Sequence, residues 1–313
     1  MVVDGRAERH PLNLPALAYE AWSESLLYLH LVTQMVGKVR LALHPPINHW
    51  WHVTLYLSAR GITTGAIPFR DNDLDIEIDL LAHRVVLRAS EGRSETIALG
   101  GPISDVYRKL TGALDELGVV VAINPNPYEC RSTIPYPDDH IHTTYDRESV
   151  SRAFEAFRFA ESAFKRFRSG YLGKCSPVHL FWHGFDLAVT RFSGRPAPSL
   201  DGADQVTKEG YSHELNSAGF WFGDDTFREA AFYCYTAPLP EGLTAQPLMP
   251  FAAKWFPLRG SPMAILRYED VRSAPEPARA LSEFLESAYA AGANAGKWDR
   301  SSLERAGARR LAE

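Results

Sequence analysis

The strongest constraint on this chain is an order of elements that occurs twice. A long helical stripe is followed by a series of short strand-like runs and then by a second helical stripe. Roughly Pro15 to Val36 carries Trp22, Leu26, Leu29 and Val36 at helical spacing, and Gly37 stands where a helix would end. Val39–Leu43 then reads as a strand. Trp51–Leu57 alternates apolar and polar residues, and Leu74–Leu80 (LDIEIDL) does so strictly, the period of two of a sheet with unlike faces. Ala82–Arg88 and Ser94–Leu99 flank the turn residues Glu91-Gly92-Arg93. Ile103–Leu117 is amphipathic, and Val119–Ile123 reads as a buried strand.

The second series begins with a helix from Arg147 to Tyr171, whose inner face is Phe154, Phe157, Ala160, Phe164, Phe167 and Tyr171. Strands follow at Val178–Phe181, Phe185–Phe192, Ala218–Phe222 and Ala230–Ala237, then a proline-rich stretch from Pro238 to Pro262. A last helix lies near Pro277–Ala291. Residues 1–13 read as a polar arm, and the charged stretch from Ser301 to Glu313 as a tail. Short words recur as well: Gly37-Lys38 and Gly173-Lys174, Trp51-His52 and Trp182-His183, Arg60-Gly61 and Gly194-Arg195. An internal duplication would account for them. The expected fold is therefore α+β, with halves at 14–123 and 147–298 and a polar connector at 124–146. Each half has a long helix, an antiparallel-type sheet and a closing helix, packed as one compact unit with a ligand cleft between the halves.

The 313 residues carry a net charge of −5, so the chain has no basic footprint for nucleic acid. No apolar run approaches the ~20 residues of a membrane span. Three widely spaced cysteines make neither a disulfide framework nor a zinc-finger pattern, and the expected compartment is a reducing cytoplasm. Dinucleotide, phosphate-loop and nucleophile-elbow motifs are missing.

Eleven histidines carry most of the candidate chemistry. His179, His213 and Glu214 offer two imidazoles and a carboxylate. That set suits zinc or non-haem iron and leaves positions open for water and substrate. Asp186 opens an apolar strand, where an acid needs a partner or a role. It is expected as a catalytic or supporting carboxylate together with Glu214. Arg191 and Arg195 are expected to clamp an anionic group. Lys174 and a strand face of His52, Tyr56 and Arg60 would close the pocket. The expectation is a metal-dependent enzyme, a hydrolase or an oxygenase, acting on a small polar or anionic molecule. The alternative is a metal-free protein that binds a small molecule without catalysis.

The segments TQMVGKVRLAL (33–43), NHWWHVTLYLSARG (48–61), GKCSPVHLFWHGFDLAVTRFSGRPAP (173–198) and YSHELNSAGFW (211–221) resemble a bacterial family of unknown function. The resemblance runs from about Leu14 to Trp298. It implies an uncharacterised cytosolic protein and transfers no catalytic residue. It also implies a small residue where this chain has His183, which shifts the weight to His179.

Overall fold

The computed structural model describes residues 14–258 and 260–305. The arm at 1–13 and the end of the tail at 306–313 lie outside the described residues. Helix α1 (Tyr19–Leu43) continues past Gly37 and absorbs the strand expected at 39–43. Gly37 is a packing contact, not a stop: a Cβ there would lie 2.2 Å from the Trp182 ring. The bare backbone lets that indole seat against α1, where Trp182 Nε1 donates to Val53 O at 2.8 Å. Length and apolar composition would let α1 cross a bilayer, which the sequence reading did not anticipate. Most of it is buried in this fold, where it serves as a core helix.

A 3-10 turn (Asn48–Trp50) runs on into a turn at 51–53 that replaces the start of the expected strand, leaving β1 (Tyr56–Leu57). Strands β2 (Gly61–Thr63), β3 (Ile67–Phe69), β4 (Asn72–Asp79), β5 (Arg84–Ala89) and β6 (Ser94–Ala98) complete a first antiparallel sheet. Its order is β1-β2-β4-β5-β6, with β3 also on β4. Helix α2 (Ile103–Glu116) follows the first sheet, and 119–123 is irregular rather than a strand. Asp146 caps α3 (Arg147–Ser169) by accepting from Ser149 N at 3.0 Å.

The second sheet contains β7 (His179–Phe181), β8 (Asp186–Pro196), β9 (His213–Trp221), β10 (Ala231–Ala237), β11 (Lys254–Leu258) and β12 (Ser261–Arg267). Its order is β11-β12-β10-β9-β8-β7. Strand β11 lies within the proline-rich stretch 238–262, for which the sequence predicts no strand, and β12 starts at the end of that stretch. Helices α4 (Gln205–Gly210), α5 (Tyr268–Arg272), α6 (Pro277–Ala295) and α7 (Arg300–Leu303) complete the order. The two sheets meet where Leu55 and Leu180 exchange backbone hydrogen bonds of 2.9 and 2.7 Å. Gly37-Lys38 lies inside α1, whereas Gly173-Lys174 follows α3, so these repeated words occupy unlike places.

One face of the second sheet packs on α3 and α6. Leu187, Val189, Phe220 and Phe232 point that way and join the main core. Phe157 and Phe164 of α3 reach Phe220 and Phe232 at ring separations of 6.0 and 6.3 Å.

Candidate functional site

The other face of that sheet is the floor of a cleft of about 1020 Å³. Strand alternation puts Asp186 and Thr190 of β8, Ser217 of β9, and Tyr233 and Tyr235 of β10 on this face. One row across the floor pairs His179 with Ala188, Ala188 with Gly219, and Gly219 with Tyr233. Its middle is therefore nearly bare backbone. The Tyr233 phenol fills part of that space: a Cβ on Gly219 would lie 2.3 Å from it. A small apolar cluster of Trp221, Ala231 and Ile265, separate from the main core, borders the floor.

The walls come from elsewhere in the chain. Gln34 of α1 bonds Tyr128 at both backbone groups, accepting from N at 2.9 Å and donating to O at 2.6 Å. Lys38 donates to Asn124 O at 3.1 Å and to Asn126 O. These two buried side chains hold the connector against α1 and so bring Tyr128 and Glu129 to the cleft. Glu129 meets His183 at 3.0 Å. On the far side, His49 and Trp50 both have left-handed backbone, φ 58° and 60°, which costs about 1–3 kcal/mol per residue for non-glycine side chains. His49 is held by its own contacts. Its N–H donates to Glu209 at 3.0 Å, its Nδ1 lies 3.3 Å from Gly210 O, and Lys174 Nζ lies 2.6 Å from its Nε2. The set is consistent with a neutral ring protonated at Nδ1 and accepting at Nε2. The turn thereby pins α4 over the cleft.

Tyr233 donates its hydroxyl hydrogen to Asp186. Burial and the adjacent Asp186 push the Tyr233 phenol well above its ordinary range. Burial does the same to Tyr235, whose hydroxyl lies 3.1 Å from that of Tyr211. Both remain O–H groups at neutral pH. Burial lowers Lys38 to about 8 and His179 to about 3. His49 is lowered by burial and then by Lys174.

Of the residues singled out from sequence, Asp186 lines the cleft. His179 is on the cleft side of β7, fully buried, with the Phe181 and Trp51 rings at 4.8 and 6.2 Å. His213 lies beside the His49 ring at 5.7 Å. Glu214, the next residue of β9, points to the opposite face and pairs with Arg195 at 2.6 Å. Among the described residues no group of three or more His, Cys, Asp or Glu side chains could hold a metal ion. His179, His213 and Glu214 therefore do not fit one zinc or iron centre.

Arg191 is not a substrate clamp. It is buried on the helix side of β8, stacked on Phe167 with 3.3 Å from guanidinium carbon to ring centroid, and it donates to Phe167 O. Arg195 is tied to Glu214 and to Gly296 O. Arg60 pairs with Asp79 at 2.9 Å on the first sheet. Tyr56 lies under the Arg40 guanidinium. His52 packs on Trp50 and accepts from Ile47 N at 3.2 Å. The expected common face of His52 and Tyr56 fails because residues 51–53 turn. Lys174 reaches the site through His49 Nε2 and over the Trp51 and Phe192 rings, 5.6 and 5.2 Å from their centroids.

Sequence reasoning missed Tyr128, Glu129, Trp221, Tyr233 and Tyr235. For the last two a signal was present. In AFYCYTA, period two places Tyr233 and Tyr235 on one face and Phe232 and Cys234 on the other.

Fold and site together define an α+β protein with two antiparallel sheets and one sheet face roofed by loops over a cleft. Residues 14–305 match the family of unknown function DUF5996, and the chain belongs to that family. No curated protein and no solved structure matches the chain.

Proposed function

We propose that this protein binds a small organic molecule in the cleft over the second sheet, without a metal ion. The observation that carries this reading is the unlike pair of sheet faces. The helix-packed face is lined mainly by apolar side chains, whereas the roofed face carries a carboxylate and four hydroxyls around a floor of alanine and glycine. A sheet face that served only packing would be filled with apolar side chains. Volume and composition suit a drug-sized ligand with a flat apolar part and a few hydrogen-bonding groups. Residues of α1 and of the 3-10 turn line one side, so both halves contribute. The reading also includes an ancient duplication, supported by the shared order of long helix, sheet and closing helix. It includes a reducing compartment too, supported by three free thiols.

Thermal-shift screening of a metabolite library against the wild type and Gly219→Val tests the proposal. The added side chain would meet Tyr233 and close the floor. Ligands that stabilise the wild type but not the variant support it. Ligands that stabilise both equally refute it.

A second reading, acid–base catalysis, is favoured by the Tyr233–Asp186 contact: the Asp186 carboxylate could take a proton from a bound ligand while the Tyr233 hydroxyl holds that carboxylate in place. Turnover of a bound ligand that Tyr233→Phe abolishes without weakening binding would establish it. Equal turnover in the variant would exclude it.

A further inference from the structure

Three polar atoms of this region are unsatisfied. Among the described residues, His179 Nδ1, His179 Nε2 and Trp50 Nε1 are buried and have no hydrogen-bond partner. An imidazole always has something to offer: a neutral ring has one donor and one acceptor. Leaving both unpaired in a dry interior is costly, and buried polar groups of folded proteins are nearly always paired. His179 is 0% exposed, so bulk water does not serve it. A phenylalanine would pack against the Trp51 and Phe181 rings without this cost.

Position supplies the reason for a histidine. His179 begins the bare row that crosses the floor through Ala188 and Gly219 to Tyr233. The rings beside it, Trp51 and Phe181, both line the cleft and both retain partial exposure. For a ligand in the cleft to reach the imidazole, one of these two rings must turn aside.

Building on the binding reading above, we propose that His179 is the recognition group of the cleft, pairing with the hydroxyl of a phenol-type ligand whose ring packs against Trp51 and Phe181. A hydroxyl suits either ring nitrogen. It donates to the bare one and accepts from the protonated one. The flat apolar wall selects an aromatic ring. A carboxylate is a poor match, because burial keeps the imidazole uncharged.

The test uses phenol and toluene as probes, the full chain, and His179→Phe beside the wild type. Binding is followed by tryptophan fluorescence, since Trp50, Trp51 and Trp221 line the cleft. The wild type is expected to bind phenol more tightly than toluene. His179→Phe is expected to lose about tenfold in phenol affinity and to keep its toluene affinity. In 15N-histidine-labelled wild type, phenol moves the His179 ring nitrogen resonances toward hydrogen-bonded values and toluene does not. This measurement stands even if the variant fails to fold. Equal phenol affinity in wild type and variant, or ring resonances unmoved by bound phenol, overturns the role of His179 and leaves the cleft reading intact. Binding of neither probe to the wild type overturns both.

Discussion

Lowering the pH from 7 to 5 should destabilise this protein through two named imidazoles. Burial holds His30 at about 4 and His179 at about 3. In the unfolded chain each takes a proton near its ordinary value of about 6.5. The fold therefore favours the neutral ring. The stability tied to neutrality is full above about pH 6.5 and is lost as pH falls from there toward pH 4 for His30 and pH 3 for His179. At pH 5 each group has crossed about 1.5 pH units of this window. At about 1.36 kcal/mol per unit, each costs about 2 kcal/mol, and the pair about 4 kcal/mol. His179→Phe should remove half of this pH-dependent loss and leave the His30 share. Its stability at pH 7 should equal or exceed that of the wild type, because the variant buries no unpaired nitrogen. Urea unfolding of both proteins at pH 7 and pH 5, followed by tryptophan fluorescence, gives the difference of differences. Acid effects of carboxylates cancel in the comparison. Equal losses in the two proteins would show that His179 is protonated or hydrated in the native state, and the account of a dry neutral ring would be wrong.

Three further outcomes follow from particular contacts. Gly37→Ala should destabilise by about 2 kcal/mol, although alanine is the better helix former by about 1 kcal/mol, because its methyl meets the Trp182 ring; a raised Tm would contradict this packing. Gln34→Ala should release the connector, and amide hydrogen exchange at residues 124–129 should quicken while that of α3 is unchanged; a uniform change over the chain would count against a local staple. Arg191→Met should keep ligand binding in the thermal-shift assay and change stability by no more than about 1–2 kcal/mol, since an apolar side chain of similar volume replaces a buried guanidinium; loss of binding with unchanged stability would restore the anion-clamp role.

Period and punctuation in the sequence were enough for the α+β class, both long helices and most strands of both sheets. These are local properties. A repeat of two or of 3.6 apolar residues states which face is buried without saying what covers it. Asp186 was legible for the same reason, as a carboxylate that breaks an apolar strand.

The sequence could not reveal which faces meet. Glycine is both a helix stop and a close-packing residue, and only the Trp182 ring, 145 positions away from Gly37, decides between them. His179, His213 and Glu214 are chemically a plausible donor set. The pleat turns Glu214 away from His213, and the sheet buries His179 beneath aromatic rings. Arg191 has the composition of a clamp and the position of a core residue. The connector, read as a spacer, became a wall of the site because Gln34 and Lys38 satisfy its backbone groups across the chain. Residue chemistry and periodicity are written along the sequence. Convergence of side chains is a property of three-dimensional packing, and packing alone turned two tyrosines, a buried histidine and a glycine floor into a candidate site.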